Sequence, residues 1–300
     1  MSDLKSSPDF LIIGSMKCGT TTLHSDIANL NGVSLPSEKE PNILHRYHDI
    51  KTIQRKYQSY FAGCPHGMIS GEASTVYTML PESEGVASKA KMLCGDNLKL
   101  IMIVRDPIQR IYSHLRHNIG TGAIKAKDVN REVIEDKSYV NYSNYPMQLA
   151  PWIDAFGKEN ILCLGFQDLI RGRTEVLERV ARHIGVAFEF VSEDPDLTTV
   201  QNKSSEFFRT TKLASTIVNN PFYRNLVRPY VSDVVRTKAR KILLPKAEIP
   251  KFQLTAAVEE QLRAELGNVE LDMERMFGNG IFTQQGLSSV TAVSSGRQRV

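Results

Sequence analysis

The chain has 300 residues, of which 41% are hydrophobic and 23% charged, a composition typical of a globular protein with a sizeable core. Its formal net charge of +4 is too small to indicate nucleic-acid binding, but it suits an anionic ligand. No apolar run approaches the roughly 20 residues that span a bilayer, and the first ten residues, MSDLKSSPDF, contain no apolar stretch. These features argue against nucleic-acid-binding and transmembrane classes and predict a soluble, cytoplasmic protein.

The cysteines argue against a disulfide framework or a metal site. None of Cys18, Cys64, Cys94 and Cys163 forms a C-x-x-C pair, and the last two lie in or beside apolar runs. Such positions are typical of buried, reduced thiols. The sequence therefore predicts neither disulfides nor a bound metal.

Short apolar runs alternate with segments of helical periodicity. Buried parallel strands are predicted at Phe10–Gly14 and at residues 98–104 and 160–166, with weaker candidates at 32–35 and 68–71. Helices are predicted at residues 20–30, 107–117, 147–156 and 174–183, the last capped by Gly185. This alternation predicts an α/β fold, a three-layer sandwich around a central, mostly parallel sheet.

The composition changes after about residue 192. Residues 192–250 are rich in Asn, Ser, Thr, Arg and Pro and are predicted to form a lid or substrate-binding segment. Residues 252–277 return to helical spacing and predict a C-terminal helix, whereas residues 284–300 are small and polar and predict a disordered tail. We therefore expect a single domain over residues 1–280.

A glycine-containing loop separates the first strand from the first helix. It reads Gly14-Ser15-Met-Lys17-Cys18-Gly19-Thr20-Thr21-Thr22. Glycines permit a tight turn, and the amides of the loop and of the helix N-terminus form a cradle for a phosphate. A plain strand-to-helix turn is the alternative, but a lysine inside such a loop has little structural purpose. Ser15, Lys17, Cys18, Gly19 and the three threonines are thus candidate phosphate-binding residues in a P-loop NTPase-like fold.

The loop departs from the usual nucleoside triphosphatase pattern, in which Lys follows the second Gly directly and Ser or Thr comes next. Thr20 occupies that lysine position, and Lys17 lies inside the loop instead. The strand that ends at Val104 is followed by Arg105, where a kinase or ATPase needs a metal-binding carboxylate. Both departures argue against a P-loop small-molecule kinase.

A second anion site is predicted where that strand ends. Arg105 can bind a phosphate bidentately, and Ser113 on the following helix can donate a further hydrogen bond. Asp106 and Pro107 also form a good helix start, while Arg110 and Arg116 are interpreted as solvated helix residues. Two anion sites at neighbouring strand ends indicate a ligand that is phosphorylated at two separate positions.

These two segments resemble the 5′-phosphosulfate loop and the 3′-phosphate motif of the sulfotransferases. Weaker similar stretches follow in the family's order, between residues 9 and 210. They are Lys39-Glu40-Pro41, Gly71-Glu72-Ala-Ser-Thr-Val-Tyr77, Tyr145 with Gln148, Leu149 and Trp152, Gly165-Phe-Gln-Asp168-Leu169 and Asn202-Lys-Ser-Ser-Glu-Phe-Phe-Arg209. The resemblance implies 3′-phosphoadenosine-5′-phosphosulfate (PAPS) as donor, the 3′,5′-bisphosphate PAP as product, and no requirement for a metal.

The resemblance also implies catalytic roles. In heparan-type carbohydrate sulfotransferases a glutamate in a Lys-Glu-Pro setting is the base, which implies that Glu40 accepts the proton of a hydroxyl or amine acceptor. Lys17 would stabilise the leaving phosphate. His45 and His48 are rival bases, and an exposed charged loop at residues 38–40 is the structural alternative.

The implied acceptor is a carbohydrate or glycoconjugate. Glu72, Ser74 and Tyr77 are candidate acceptor-site residues, with Glu72 as a carboxylate behind the site. Arg209, beside Phe207 and Phe208, is a candidate for the adenine and 3′-phosphate. Glycan-modifying members often carry lysine where this chain has Ala73. A non-catalytic nucleotide-binding protein is a further alternative, favoured if Glu40 is buried in a structural ion pair.

Overall fold

A computed structural model describes residues 5–36, 38–192, 249–278 and 281–282, together with the backbone of two short strands at 207–208 and 246–247. Most of the predicted lid, Arg209 and the predicted tail at 284–300 lie outside the described residues. Their assignments, and the limits of the domain, stay predictions. Within the described ranges no helix is both long enough and apolar enough to cross a membrane.

Five strands form a single parallel sheet in the order β2-β3-β1-β4-β5. They are β1 (Phe10–Gly14), β2 (Val33–Ser34), β3 (Ile69–Ala73), β4 (Lys99–Val104) and β5 (Ile161–Gly165). The two short strands, β6 (Phe207–Phe208) and β7 (Lys246–Ala247), pair with each other in antiparallel orientation. All five predicted strands of the main sheet are therefore present.

Helices flank the sheet and connect its strands. They are α1 (Thr20–Ile27), α2 (Ile43–Arg46), α3 (Ile50–Tyr60), α4 (Val86–Cys94), α5 (Pro107–Thr121), α6 (Val129–Glu135), α7 (Ser138–Asn141), α8 (Tyr145–Phe156), α9 (Phe166–Arg171), α10 (Arg173–Ile184), α11 (Ala256–Leu266) and α12 (Val269–Phe277). Short 3₁₀ segments lie at Thr75–Thr78, Ala126–Asp128 and Lys158–Asn160. Gly185 caps α10 in the left-handed conformation, as predicted.

The predicted single C-terminal helix is wrong in one respect. Gly267, at φ 54°, ends α11, and α12 begins two residues later at Val269. The leucine spacing continued across this break, so periodicity alone predicted one helix where a left-handed glycine produces two.

Two apolar clusters cover the two faces of the sheet and confirm the three-layer α/β architecture. Phe10 and Ile12 of β1 pack with α1 and α10, whereas Leu11 and Ile13 pack on the opposite face with α4, α5 and α8. Strands buried on both faces have no polar alternation, which is why they appeared in the sequence as continuous apolar runs. A buried ion pair between Asp26 and Arg173 also fixes α1 against α10.

The strand order places the functional crevice. The chain leaves β1 toward β2 on one side of the sheet, and it leaves the adjacent β4 toward β5 on the other side. Ligands of open α/β sheets bind at such a switch point, outside the carboxyl ends of the strands. The segments after β1 and β4, which hold both predicted anion sites, therefore flank one crevice.

Candidate active site

The backbone conformation of the loop between β1 and α1 favours a glycine at position 19. Lys17 and Gly19 both have left-handed backbones, at φ 70° and 90°. A side chain at position 19 would be strained by this backbone conformation, and its Cβ atom would lie in tight contact, 3.1 Å from the ring of Phe166. The Ser15 amide donates to the Ile103 carbonyl oxygen over 2.9 Å and ties the loop to β4.

The donors of this loop have few partners. The hydroxyl of Ser15 is buried without a hydrogen bond, and the Lys17 ammonium has no hydrogen bond or ion pair among the described residues. No side chain caps the first-turn amides of α1. Thr20 and Thr22 are buried and Thr21 is partly exposed. Buried donors normally have acceptors, so this arrangement indicates a site for an anion.

Cys18 differs from its neighbours in the loop. Its thiol is buried 3.8 Å from the Tyr145 hydroxyl, and its amide donates to the Ser15 carbonyl oxygen over 3.2 Å. Burial also raises the pKa of this thiol to about 11. Both of its donors already have partners, so the geometry gives Cys18 a part in closing the loop and does not support the predicted contact with a phosphate.

Arg105 lies at the end of β4, across the crevice from the loop. Its Nε is buried without a hydrogen-bond partner in the described chain, and its guanidinium stacks 4.7 Å from the centroid of the Phe166 ring. The Tyr145 hydroxyl donates to the Arg105 carbonyl oxygen over 2.7 Å and braces its backbone. Ser113 is buried two turns along α5, and Asp106 caps that helix, as predicted.

The interpretation of Arg110 as a solvated helix residue is wrong. Arg110 is 0% exposed; its Nε donates to the Ser143 hydroxyl over 2.6 Å and its Nη2 to the Tyr139 carbonyl oxygen over 2.9 Å. Its Nη1 has no partner, and no carboxylate of the described residues pairs with it. Arg116, by contrast, is exposed on α5. Burying a guanidinium without a counter-charge costs free energy. A bound anion would therefore stabilise Arg110 as well as the donors of the loop.

The same positive field acts on Lys17. Burial and then the charge of Arg110 lower the pKa of the Lys17 ammonium from its ordinary value, and Arg105 and Lys39 add smaller effects in the same direction. Only Cys18 acts in the opposite direction, so on balance the surroundings disfavour the charged form of Lys17. A bound anion would reverse the balance, because it offsets both the desolvation and the repulsion.

Glu40 lies beyond β2, in a loop that reaches the end of β3. Its backbone is left-handed at φ 60°, and its amide donates to the Ala73 carbonyl oxygen over 2.9 Å. The Thr75 amide donates to one carboxylate oxygen over 2.8 Å, and Lys39 donates to the other over 2.5 Å. The side chain is nevertheless 35% exposed, so the burial that would favour a non-catalytic protein is not observed.

The three candidate acceptor-site residues are brought together but buried. Glu72, Ser74 and Tyr77 are each at most 1% exposed. Glu72 accepts hydrogen bonds from both of the other hydroxyls. The rival bases lie elsewhere: His45 Nε2 donates to the Glu82 carbonyl oxygen over 3.2 Å, and His48 is exposed.

Two histidines that the sequence did not single out lie on α5. Burial and the charge of Arg110 lower the pKa of His114 to about 3, and burial and Lys17 lower that of His117. Neither adds a cation to the crevice near neutral pH. In the described ranges no group of three or more His, Cys, Asp or Glu side chains could hold a metal ion.

Comparisons with known proteins identify the family. The sequence profile of the sulfotransferase domain matches residues 7–225, more than half of the chain. A search of the curated proteins finds no match. A solved sulfotransferase from Alicyclobacillus acidocaldarius is similar at a TM-score of 0.52 and 21% identity, over 63% of this chain and 87% of its own. This likeness bears on the fold.

Two further solved structures are similar at a TM-score of 0.47 and 15% identity. The sulfotransferase domain of the curacin biosynthetic pathway aligns over 87% of this chain and 98% of its own. Mouse sulfotransferase SULT7A1, complexed with PAP, aligns over 89% and 88%.

The profile match includes the loop after β1, Arg105 after β4 and the loop that carries Glu40. Sulfotransferases adopt a P-loop NTPase-like fold, which confirms the predicted fold class. The chain belongs to the sulfotransferase domain family and is a transferase of sulfuryl groups.

Proposed function

We propose that the donor is PAPS and that the two anion sites bind its two phosphate positions. The observation that carries this proposal is the set of donors without partners at the ends of β1 and β4. The Ser15 hydroxyl, the Lys17 ammonium, Arg105 Nε and Arg110 Nη1 all lack an acceptor in the described chain. A nucleotide with a 5′-phosphosulfate and a 3′-phosphate supplies anionic oxygens at two separated points, one for each group of donors.

Glu40 is proposed as the general base. The acceptor's hydroxyl oxygen forms a bond to sulfur while the bond from sulfur to the 5′-phosphate oxygen breaks. The hydroxyl proton passes to Glu40, and the electron pair of the broken bond stays on the phosphate of PAP. The partial exposure of Glu40, together with its fixation by the Thr75 amide and Lys39, supports this role because a base must be both accessible and oriented.

Lys17 is proposed to stabilise the leaving phosphate. Its ammonium projects from a left-handed position within the loop and has no competing partner in the described chain. The negative charge that develops on the phosphate oxygen is greatest during transfer, so the interaction is stronger in the transition state than with the bound donor.

A carbohydrate or glycoconjugate hydroxyl is the proposed acceptor. A groove beside the Glu40 loop is lined by Pro41, Tyr47, Lys56, Ser59 and Tyr60 among others. Aromatic faces with nearby polar groups suit sugar rings, which present C–H groups on one face and hydroxyls around the edge. Ala73, where glycan-modifying relatives often carry lysine, argues against a heparan-like polymer as that acceptor.

The first test is ligand-linked thermal stability. PAP without magnesium should raise the free energy of unfolding by roughly 2.7 kcal/mol at a concentration of 100 Kd. ATP with magnesium at the same concentration should raise it less. Arg105→Ala should reduce the stabilisation by PAP, and the control variant Arg116→Ala, at an exposed position of the following helix α5, should leave it unchanged. Larger stabilisation by ATP with magnesium would favour the P-loop kinase instead.

The acceptor is tested separately. PAPS carrying labelled sulfate should be offered with panels of glycans, glycolipids and small alcohols, and the labelled product isolated. Transfer to small alcohols alone would contradict the carbohydrate proposal but leave the donor assignment intact.

A further inference from the structure

Glu72, at the end of β3, is the centre of a buried hydrogen-bond network. Its side chain is 0% exposed. Oε1 accepts from the Tyr57 hydroxyl over 2.6 Å and from the Tyr77 hydroxyl over 2.5 Å, and Oε2 accepts from the Ser74 hydroxyl over 3.3 Å. The three donors come from α3, from the 3₁₀ segment after β3 and from the β3 terminus itself. An ionised carboxylate accepts all three, whereas a protonated one must donate once.

Two of these hydroxyls also hold the loop that carries Glu40. The Asn42 amide donates to the Ser74 hydroxyl oxygen over 3.1 Å, and the Leu44 amide donates to the Tyr77 hydroxyl oxygen over 3.1 Å. Each hydroxyl has one proton. Because that proton is given to Glu72, the oxygen lone pairs face the loop amides. The carboxylate therefore orients both hydroxyls in the sense that the loop requires.

The loop needs this support because its backbone is unusual. Glu40 and Asn42 both have left-handed backbones, at φ 60° and 55°, although neither is glycine. Such conformations persist only where the surroundings hold them. Besides the two hydroxyl contacts, the Ala73 carbonyl oxygen and the Thr75 amide fix Glu40 itself. Every one of these contacts comes from residues 73–77, directly after Glu72.

We propose that Glu72 is a positioning residue: its carboxylate orients the Ser74 and Tyr77 hydroxyls, and these hold residues 40–44 in the conformation that presents Glu40 to the acceptor. The inference rests on the proposed role of Glu40 as the base. Glu72 itself touches neither substrate nor the reacting atoms.

The same network influences the ionisation of Glu72. Burial raises the pKa of the Glu72 carboxyl to about 7, the three hydroxyl donors lower it, and the charge of Glu40 raises it slightly. Burial, and then the charge of Glu72, raise the pKa of Tyr60 on α3 and of Cys94 on α4. A protonated Glu72 can donate its hydrogen bond to Tyr57, whose hydroxyl does not contact the loop, so the hydroxyls of Ser74 and Tyr77 can keep their orientation.

The test compares Glu72→Gln with a matched pair of tyrosine variants. Tyr57 and Tyr77 both donate to Glu72 Oε1, but of the two only the Tyr77 hydroxyl accepts from the loop. Glu72→Gln and Tyr77→Phe should each lower kcat by roughly 10–100-fold at unchanged PAP affinity, because Glu40 is displaced while the donor site is not. Tyr57→Phe should stay within about twofold of the wild type, since it removes no loop contact.

Amide hydrogen exchange supplies a readout that does not depend on activity. The Asn42 and Leu44 amides should exchange faster in Glu72→Gln and Tyr77→Phe and at the wild-type rate in Tyr57→Phe. If Glu72→Gln does not fold, the two tyrosine variants carry the comparison. Equal losses in both tyrosine variants, or unchanged exchange in Glu72→Gln, would overturn the inference. Faster exchange with unchanged kcat would support the role in the loop and contradict Glu40 as the base, so the two failures are distinguishable.

Discussion

The site has a β1 and β4 side and a β3 side, and the two sides differ in their hydrogen bonding. At the ends of β1 and β4, the Ser15 hydroxyl, the Lys17 ammonium and Arg105 Nε are without partners in the described chain. At the end of β3, by contrast, the carboxylates of Glu40 and Glu72 accept from amides, hydroxyls and an ammonium. One side holds excess positive charge, and the other holds negative charge whose acceptors are occupied.

This contrast separates binding from positioning. Unsatisfied buried donors destabilise the empty protein, and an anionic ligand recovers that free energy when it binds. A carboxylate with several partners gains nothing from the ligand, but its geometry is defined before the ligand arrives. Variants on the first side should therefore change affinity as well as rate, whereas variants on the second side should change rate alone.

Glu40→Gln, on the β3 side, is expected to cause the largest loss of turnover. The amide is nearly isosteric, yet it cannot take a proton from the acceptor, so turnover should fall by roughly 10²–10⁴-fold. PAP affinity, measured by calorimetry, should equal that of the wild type because the donor site is untouched. Retention of most activity would refute Glu40 as the base and direct attention to His45 and His48.

Lys17→Ala, on the β1 and β4 side, is expected to cause a somewhat smaller loss of turnover. Turnover should fall by about 10²–10³-fold, the range found when one donor to a developing negative charge is removed. PAP affinity should fall as well, but by a smaller factor, because the charge on the phosphate oxygen is greatest in the transition state. Equal factors for kcat and affinity would make Lys17 a binding residue only.

The smallest effect is expected in the pH dependence of the free energy of unfolding. The pKa of Glu72 is raised from its ordinary value of 4.5 to about 7, mainly by burial. The folded state thus holds this proton more tightly than the unfolded chain does. The resulting stabilisation is fully present below pH 4.5 and is lost as pH rises through 7.

Glu72→Gln removes this titration. The free energy of unfolding of the wild type, minus that of the variant, should decrease by on the order of 1–3 kcal/mol between pH 4.5 and 7. Urea unfolding at a series of pH values measures the difference. A difference that stays flat would mean that the three hydroxyls compensate fully for burial of the charge.

Local sequence was sufficient to predict the turn between β1 and α1 and the strands of the sheet. The β1 strand, the two glycines and the threonines that begin α1 are contiguous, so their geometry follows from backbone conformation and helix termini. The position of Arg105 at the carboxyl end of β4 could be predicted for the same reason, since Arg105 directly follows a buried strand. The parallel orientation of the strands followed from the alternation of strands and helices, whereas their order in the sheet did not.

Long-range contacts explain what the sequence could not indicate. Arg110 looked like any helix arginine, and its burial depends on α7 and the Ser143 turn, some thirty residues away. The network of Glu72 joins β3 to Tyr57 on α3. Neither pattern has a local periodicity or spacing, because each forms only when separate elements pack together.

Phe166 connects the two proposed anion sites. Its ring lies next to Gly19 and has its centroid 4.7 Å from the guanidinium of Arg105. Because packed interiors transmit small displacements, a change in the size of this one side chain should shift the Gly19 turn and Arg105 together. A ligand that contacts both the loop and Arg105 should therefore bind less tightly when Phe166 is replaced by a smaller residue, although Phe166 itself carries no charge.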